Sequence, residues 1–271
     1  MKSVLLHIHD DLGMESRLQA ACDIARATGA HIHCVQVTPV PGMVGADIYG
    51  GAGLAPAIIE DLRKADEKLR ARIEEQVRRE GVSWDWRQLD DEIVRGLLSA
   101  SILSDLIVVT LPQRARGQFN DPLPIAADLA LSGAVPVMAV PQSARSVMVT
   151  GRALVAWNGS QEASAALRAA VPLLKLAQEV HVVTVEEAGR YPFPETGAPE
   201  YLARHGIGTQ LHTWPQDGRP AEDALMAAIG VLKPDWMVMG AYGHSRLRQF
   251  VFGGVTRTIL HEARVPVLLA H

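Results

Sequence analysis

Short runs rich in Val, Ile and Leu alternate along this chain with longer stretches of helical period, and the alternation is gone through twice. Buried parallel strands read as unbroken apolar runs, and successive parallel strands need a crossover helix between them. A chain patterned this way is therefore confined to an α/β fold with parallel sheets flanked by helices. In the first half, strands are expected at 4–9, 31–37, 82–89, 106–110 and 135–140. Helices are expected over 15–28 and 58–79, from Asp91 or Glu92 onward, and over 125–131. Gly29 and Gly81 follow the first two, where a left-handed residue closes a helix. In the second half, strands are expected at 152–157, 179–185, 208–214, 236–240 and 265–270, with helices over 161–176, 200–205, 221–231 and 255–262.

The halves align without gaps over their last third: Leu106-Ile107-Val108-Val109 and Trp236-Met237-Val238-Met239 stand at the same distance before Val135-Pro136-Val137 and Val265-Pro266-Val267. Constant spacing of this kind argues for duplication. With 271 residues, 48% of them hydrophobic, the chain can fill two cores of ordinary size. Two domains are expected, 1–141 and 147–271, each a doubly wound five-stranded parallel sheet, with the proline-opened polar stretch 141–146 as linker. One continuous ten-stranded domain is the alternative, set aside because each set of five strands can close its own core. The fifth strands, 135–140 and 265–270, would be bare edges unless paired, so they are expected to join domains or chains edge to edge.

The chemistry concentrates after the fourth strand of the second half, in Gly240-Ala-Tyr-Gly243-His-Ser-Arg-Leu-Arg-Gln-Phe-Val-Phe-Gly253-Gly254-Val255-Thr256. The order is strand, glycine loop, helix start. Unpaired backbone N–H groups at a helix start, together with the positive end of its dipole, make an anion site, and glycines let a phosphate come close to the backbone. The loop has neither the Gly-Lys-Ser/Thr ending of a Walker loop nor the tight GxGxxG fingerprint. A plainer reading is that these glycines only cap helices and make turns.

Gly240-x2-Gly243-x9-Gly253 resembles the nucleotide motif of the ATP-binding universal stress proteins. So do the five-strand units, the Asp-Gly-Arg-Pro-Ala-Glu run at 217–222, Lys233-Pro-Asp, and Val-Pro-Val opening the fifth strand. The resemblance implies an adenine nucleotide alpha hydrolase-like fold and a stress-response regulatory role. It implies ATP or AMP, with or without Mg2+, bound in the C-terminal domain. Gly240, Gly243, Gly253 and Gly254 would then face the phosphates through their N–H groups, with Val255 and the Thr256 hydroxyl close by and His244 adding a donor from within the loop. Ala156, Trp157, Asn158 and Val185 would meet adenine and ribose at the ends of the first and second strands. Two departures stand out. Asn158 holds the place of the family's usual Asp and cannot help hold a cation. Gly254 stands where a Ser or Thr usually follows the third glycine, which favours weaker binding or AMP.

In the first half, the same alignment sets Thr110, Gln113, Leu123 and Pro124 opposite the four glycines. That domain is expected to bind no nucleotide in this way and to act as a packing partner, forming an internal pseudo-dimer that leaves open a further homodimer. The net charge of −4 is spread without blocks, which argues against nucleic acid or an anionic membrane as partner. The opening residues lack the pattern of a signal peptide, and no run is long and apolar enough for a span, so a cytoplasmic location is expected. Cys22 and Cys34, without CxxC spacing, are expected as buried thiols. No catalytic constellation stands out, so at most slow ATP hydrolysis is expected. His7 and His9, like His31 and His33, share a strand face, and could approach metal-ligand geometry if both pairs converge. Otherwise they are partly buried polar residues bonded to nearby loops, and no metal site is assigned. A ligand-free interaction protein of the same fold is the alternative function.

Overall fold

A computed structural model describes residues 1–39, 55–111, 125–186, 195–241 and 254–271. In chain order the elements are β1 (Ser3–Ile8), α1 (Met14–Thr28), β2 (His31–Thr38), α2 (Ala55–Glu80), β3 (Trp84–Asp90), α3 (Ile93–Ala100), β4 (Leu106–Leu111), α4 (Ala126–Ser132) and β5 (Val137–Pro141). They continue as β6 (Arg152–Ala156), α5 (Gln161–Leu174), β7 (Glu179–Glu186), α6 (Gly197–Arg204), β8 (Gln210–Pro215), α7 (Ala221–Leu232), β9 (Trp236–Gly240), α8 (Gly254–Glu262) and β10 (Val267–Ala270). The apolar runs set the burial. Every residue of β4 is buried, as expected for a strand covered on both faces, whereas β3 alternates because it lies outermost. Gly29 and Gly81 close α1 and α2 with φ of 65° and 67°, the left-handed conformation their positions predicted.

The strands form one sheet in the order β3-β2-β1-β4-β5-β10-β9-β6-β7-β8. Each half repeats one order outward from the middle, and neighbours within a half run parallel. The halves meet where the fifth strands pair antiparallel, Leu268 opposite Met138 and Val267 opposite Ala139. This is the edge-to-edge join anticipated for them.

The expectation of two separate cores is corrected. One apolar layer holds Leu6, Ile8 and Val140 together with Ala153, Val155, Trp236 and Leu268; the layer on the opposite face holds Leu5, Val109 and Val137 together with Leu154, Met239 and Leu269. Each layer passes through both halves, because the β5–β10 pairing carries both faces of the sheet across the join without a gap. The connection between the halves is pinned rather than loose. Val147 and Val149 are buried, the Val147 N–H donates to the Asp23 carboxylate at 2.9 Å, and Ser16 Oγ donates to the Gln142 carbonyl at 2.6 Å. Cys22 and Cys34 are buried free thiols, and burial pushes each up to about 12. Among the described residues, no helix is long and apolar enough to cross a membrane.

Candidate functional site

Open α/β sheets bind ligands beyond the carboxyl ends of their strands, at the point where strand order reverses. In the second half that point lies between β6 and β9, which are adjacent and parallel. Ala156 ends β6, and Trp157 continues it, its N–H donating to the Val183 carbonyl of β7 at 2.9 Å. Val185 lies near the end of β7 and Gly240 ends β9. The register sets these residues along one rim. Asn158 is exposed, and its side-chain oxygen accepts from the Ser160 N–H at 3.1 Å, closing a turn with Gly159 at φ 72°. Ser160 then caps α5 by accepting from the Ala163 N–H. Gly254 and Val255 open α8, Gly254 exposed and Val255 half-buried, and Thr256 follows, buried. Gly243, His244 and Gly253 lie outside the described residues.

The two described glycines sit in tight surroundings. A Cβ on Gly240 would stand 2.4 Å from the Ala163 nitrogen and 2.5 Å from the Glu162 carbonyl carbon, so the first turn of α5 occupies the space above it. Close packing of strand end on helix start is thus enough to require glycine at 240. A Cβ on Gly254 would lie 2.9 Å from Glu222 Oε1, in the first turn of α7. A carboxylate therefore rests against the start of α8, where the helix dipole favours negative charge.

The first half resolves the same packing problem with the sizes exchanged. Val4 pairs with Leu106 as Ala153 pairs with Trp236, which sets Gly13 where Glu162 stands and Thr110 where Gly240 stands. A Cβ on Gly13 would meet Thr110 Oγ1 at 2.4 Å. The glycine has moved from strand to helix. Where the second half has the buried Ala166, the first has Arg17, equally buried. Its guanidinium donates to both oxygens of Asp11 at 2.7 and 2.9 Å, to Thr110 Oγ1 at 2.7 Å, and to the carbonyls of His7 and His9 at 2.7 and 2.6 Å. The ion pair is sealed, both side chains being 1% exposed. One cation thus ties the ends of β1 and β4 to the start of α1.

Beside it, His7 is buried, and its Nε2 has no hydrogen-bond partner among the described residues. Burial, reinforced by the Arg17 and His9 charges, holds its pKa well below 6.5. The folded state therefore binds this proton less readily than the unfolded chain. The stabilisation is present above about pH 6.5 and is lost as pH falls toward the folded value. Acidification from pH 7.5 to 5.5 is therefore expected to destabilise the folded chain through this group. Urea unfolding at both pH values, on the wild type and on His7→Leu, checks it; identical pH dependence in the two proteins would show that His7 carries no linkage.

Several of these groups were not singled out from sequence. Arg17 had a signal, since it lies between Met14 and Leu18 on the buried stripe of α1, where an arginine needs a buried partner. Asp11, explicable as a charge at a helix start, is that partner. Gly13 had no signal, and Glu222, quoted as the end of the 217–222 run, had none for its contact with Gly254, because the neighbours of both come from distant chain segments. The histidine pairs share one face but do not converge. His33 sits beside Leu5 while His7 sits beside Val35, so the pairs are offset along the strands. His31 and His33 meet Asp85 of β3 instead.

Residues 150–271 match the Universal stress protein family. No curated protein matches the chain. Among solved structures, the universal stress protein from Archaeoglobus fulgidus DSM 4304 is similar at 17% identity, covering 99% of this chain and 97% of its own, with a TM-score of 0.73. A candidate universal stress protein from Pseudomonas aeruginosa UCBPP-PA14 is similar at 20% identity, covering 100% of this chain and 93% of its own, with a TM-score of 0.63. At these identities the likeness speaks for the fold. Residues 150–271 thus match the universal stress protein family, in a chain that shares the fold of universal stress protein structures along its whole length.

Proposed function

We propose that residues 147–271 bind an adenine nucleotide, ATP or AMP, and that residues 1–141 bind none in this way and serve as the packing half of an internal pseudo-dimer. The observation that carries the reading is the position of Ala156, Trp157, Asn158, Val185 and Gly240 along one rim at the strand-order reversal of the half that matches the family. The exposed start of α8 at Gly254 offers N–H groups to a phosphate. The role is that of a regulatory stress-response module in the cytoplasm that senses adenylate by binding it rather than turning it over. Glu222 is the residue that would meet Mg2+ beside the phosphates; without a cation its carboxylate repels them. In the first half, the Arg17–Asp11 network fills the corresponding place with an internal ion pair.

Calorimetry with ATP and AMP on the full chain, with and without Mg2+, tests the proposal. One site per chain is expected, abolished by Gly243→Asp, with Glu222→Gln strengthening Mg2+-free binding. Heat that survives Gly243→Asp refutes the site. Absence of heat with either nucleotide leaves the second reading, a nucleotide-free interaction scaffold. Two observations favour that reading: helix packing alone requires Gly240, and a carboxylate already rests at the start of α8.

A further inference from the structure

At the amino ends of the first-half strands, away from the reversal point, a different chemistry is assembled. His31 and His33 sit two apart on β2, so both rings project from one face of the sheet. Asp85 of β3 is the register partner of His33 and projects from that same face. His31 Nε2 lies 3.3 Å from Asp85 Oδ2, and His33 Nδ1 lies 3.0 Å from Asp85 Oδ1. One ligand atom from each of the three residues falls within 4.8 Å of the others.

We propose that His31 Nε2, His33 Nδ1 and the Asp85 carboxylate form a site for a zinc-class divalent transition-metal ion that clamps the outer strand β3 to β2. Tetrahedral zinc with bonds of about 2.0–2.1 Å holds its ligand atoms about 3.3 Å apart, and both imidazole–carboxylate separations are already near that value. The ligand set, two imidazoles and a carboxylate with a position left for water, is one that zinc accepts. His31 also has the outer-shell partner such ligands need. Its Nδ1 is 2.7 Å from Ser83 Oγ, which leaves Nε2 turned toward Asp85. The side chains are 34%, 37% and 54% exposed, open enough to admit an ion from solvent.

The second half supplies an internal control. By register, Glu179, His181 and Gln210 stand in the three corresponding places. There Arg152 binds Glu179 at 2.9 Å and His181 is spent on His212 at 2.9 Å, so that site is already neutralised. In the first half Ser3 stands where Arg152 would be, and among the described residues the carboxylate pairs with the two imidazoles alone. Cys22 and Cys34 are poor competitors for the ion, since burial pushes both thiols up to about 12.

Zn2+ calorimetry on the full chain without nucleotide, with Co2+ absorption as a second readout, tests the site. One ion per chain is expected. Outer-shell partners are typically worth 10- to 100-fold in affinity, so Ser83→Ala should weaken binding by about tenfold. His33→Ala and Asp85→Asn each remove a ligand and should weaken it by more than about 100-fold. His181→Ala should leave the affinity unchanged. Asp85→Asn keeps the side-chain shape at an exposed position, and unchanged circular dichroism in that variant shows that the fold persists. Failure of the wild type to bind one ion per chain, or an affinity that survives both His33→Ala and Asp85→Asn, overturns the proposal.

Discussion

Arg17→Met is expected to cost about 3–5 kcal/mol in the urea unfolding of the full chain, the usual result of removing one partner of a buried ion pair. The loss has two parts. Asp11 is left with a carboxylate that is 1% exposed and has lost its counter-ion. The carbonyls of His7 and His9, together with Thr110 Oγ1, lose charged donors at 2.6–2.7 Å. The double variant Arg17→Met/Asp11→Leu should recover much of the loss, because replacing both partners with apolar groups of similar size removes the desolvation penalty along with the attraction. A single variant within 1 kcal/mol of the wild type would mean that the network does not hold β1, β4 and α1 together. Because the second half has Ala166 at the corresponding place, the same substitution has no counterpart there.

Gly240→Ala is expected to cost on the order of 3 kcal/mol without any nucleotide present, the upper part of the range for overpacking. The added carbon would lie 2.4 Å from a backbone nitrogen, and backbone cannot swing aside as a flexible side chain can. Importing the arrangement of the first half supplies the check. Gly240→Thr alone should be worse than Gly240→Ala. Combined with Glu162→Gly it should regain part of the loss, since Gly13 faces Thr110 in that manner. Thermal unfolding of the three variants decides the matter, and a Gly240→Ala variant as stable as the wild type would show that the α5 contact does not demand glycine. The result also bears on the nucleotide proposal, because a glycine required by packing would be present whether or not a phosphate is bound.

The fold was legible because its determinants are local. The apolar run at 236–240 became β9 without a shift, and Gly29 and Gly81 stopped their helices as left-handed closers must. Strand boundaries slipped by one or two residues, as in β1, expected at 4–9 but spanning Ser3–Ile8, and in β3, expected from Val82 but beginning at Trp84, where pairing with Ile32 begins. The edge-to-edge meeting of the fifth strands followed from the need to cover apolar edges. What was missed depends on register and long-range contact. Two histidines two apart are visible in a sequence, but the pairing of β2 with β3 that brings Asp85 to them is not. Glu222 and Gly254 come from different helices, and nothing in their spacing announces that they touch. The continuity of the apolar layers was also hidden, because a pattern of five strands looks the same whether its sheet ends there or continues into another.

The antiparallel β5–β10 seam makes the sheet self-terminating. Joining inside one chain leaves β3 and β8 as the outer margins. Both are poor templates for lateral growth: β3 carries Asp85, Arg87 and Asp90, and β8 closes on Pro215, which has no N–H to donate. Edge-to-edge pairing of two copies along β3 or β8 is disfavoured on this ground.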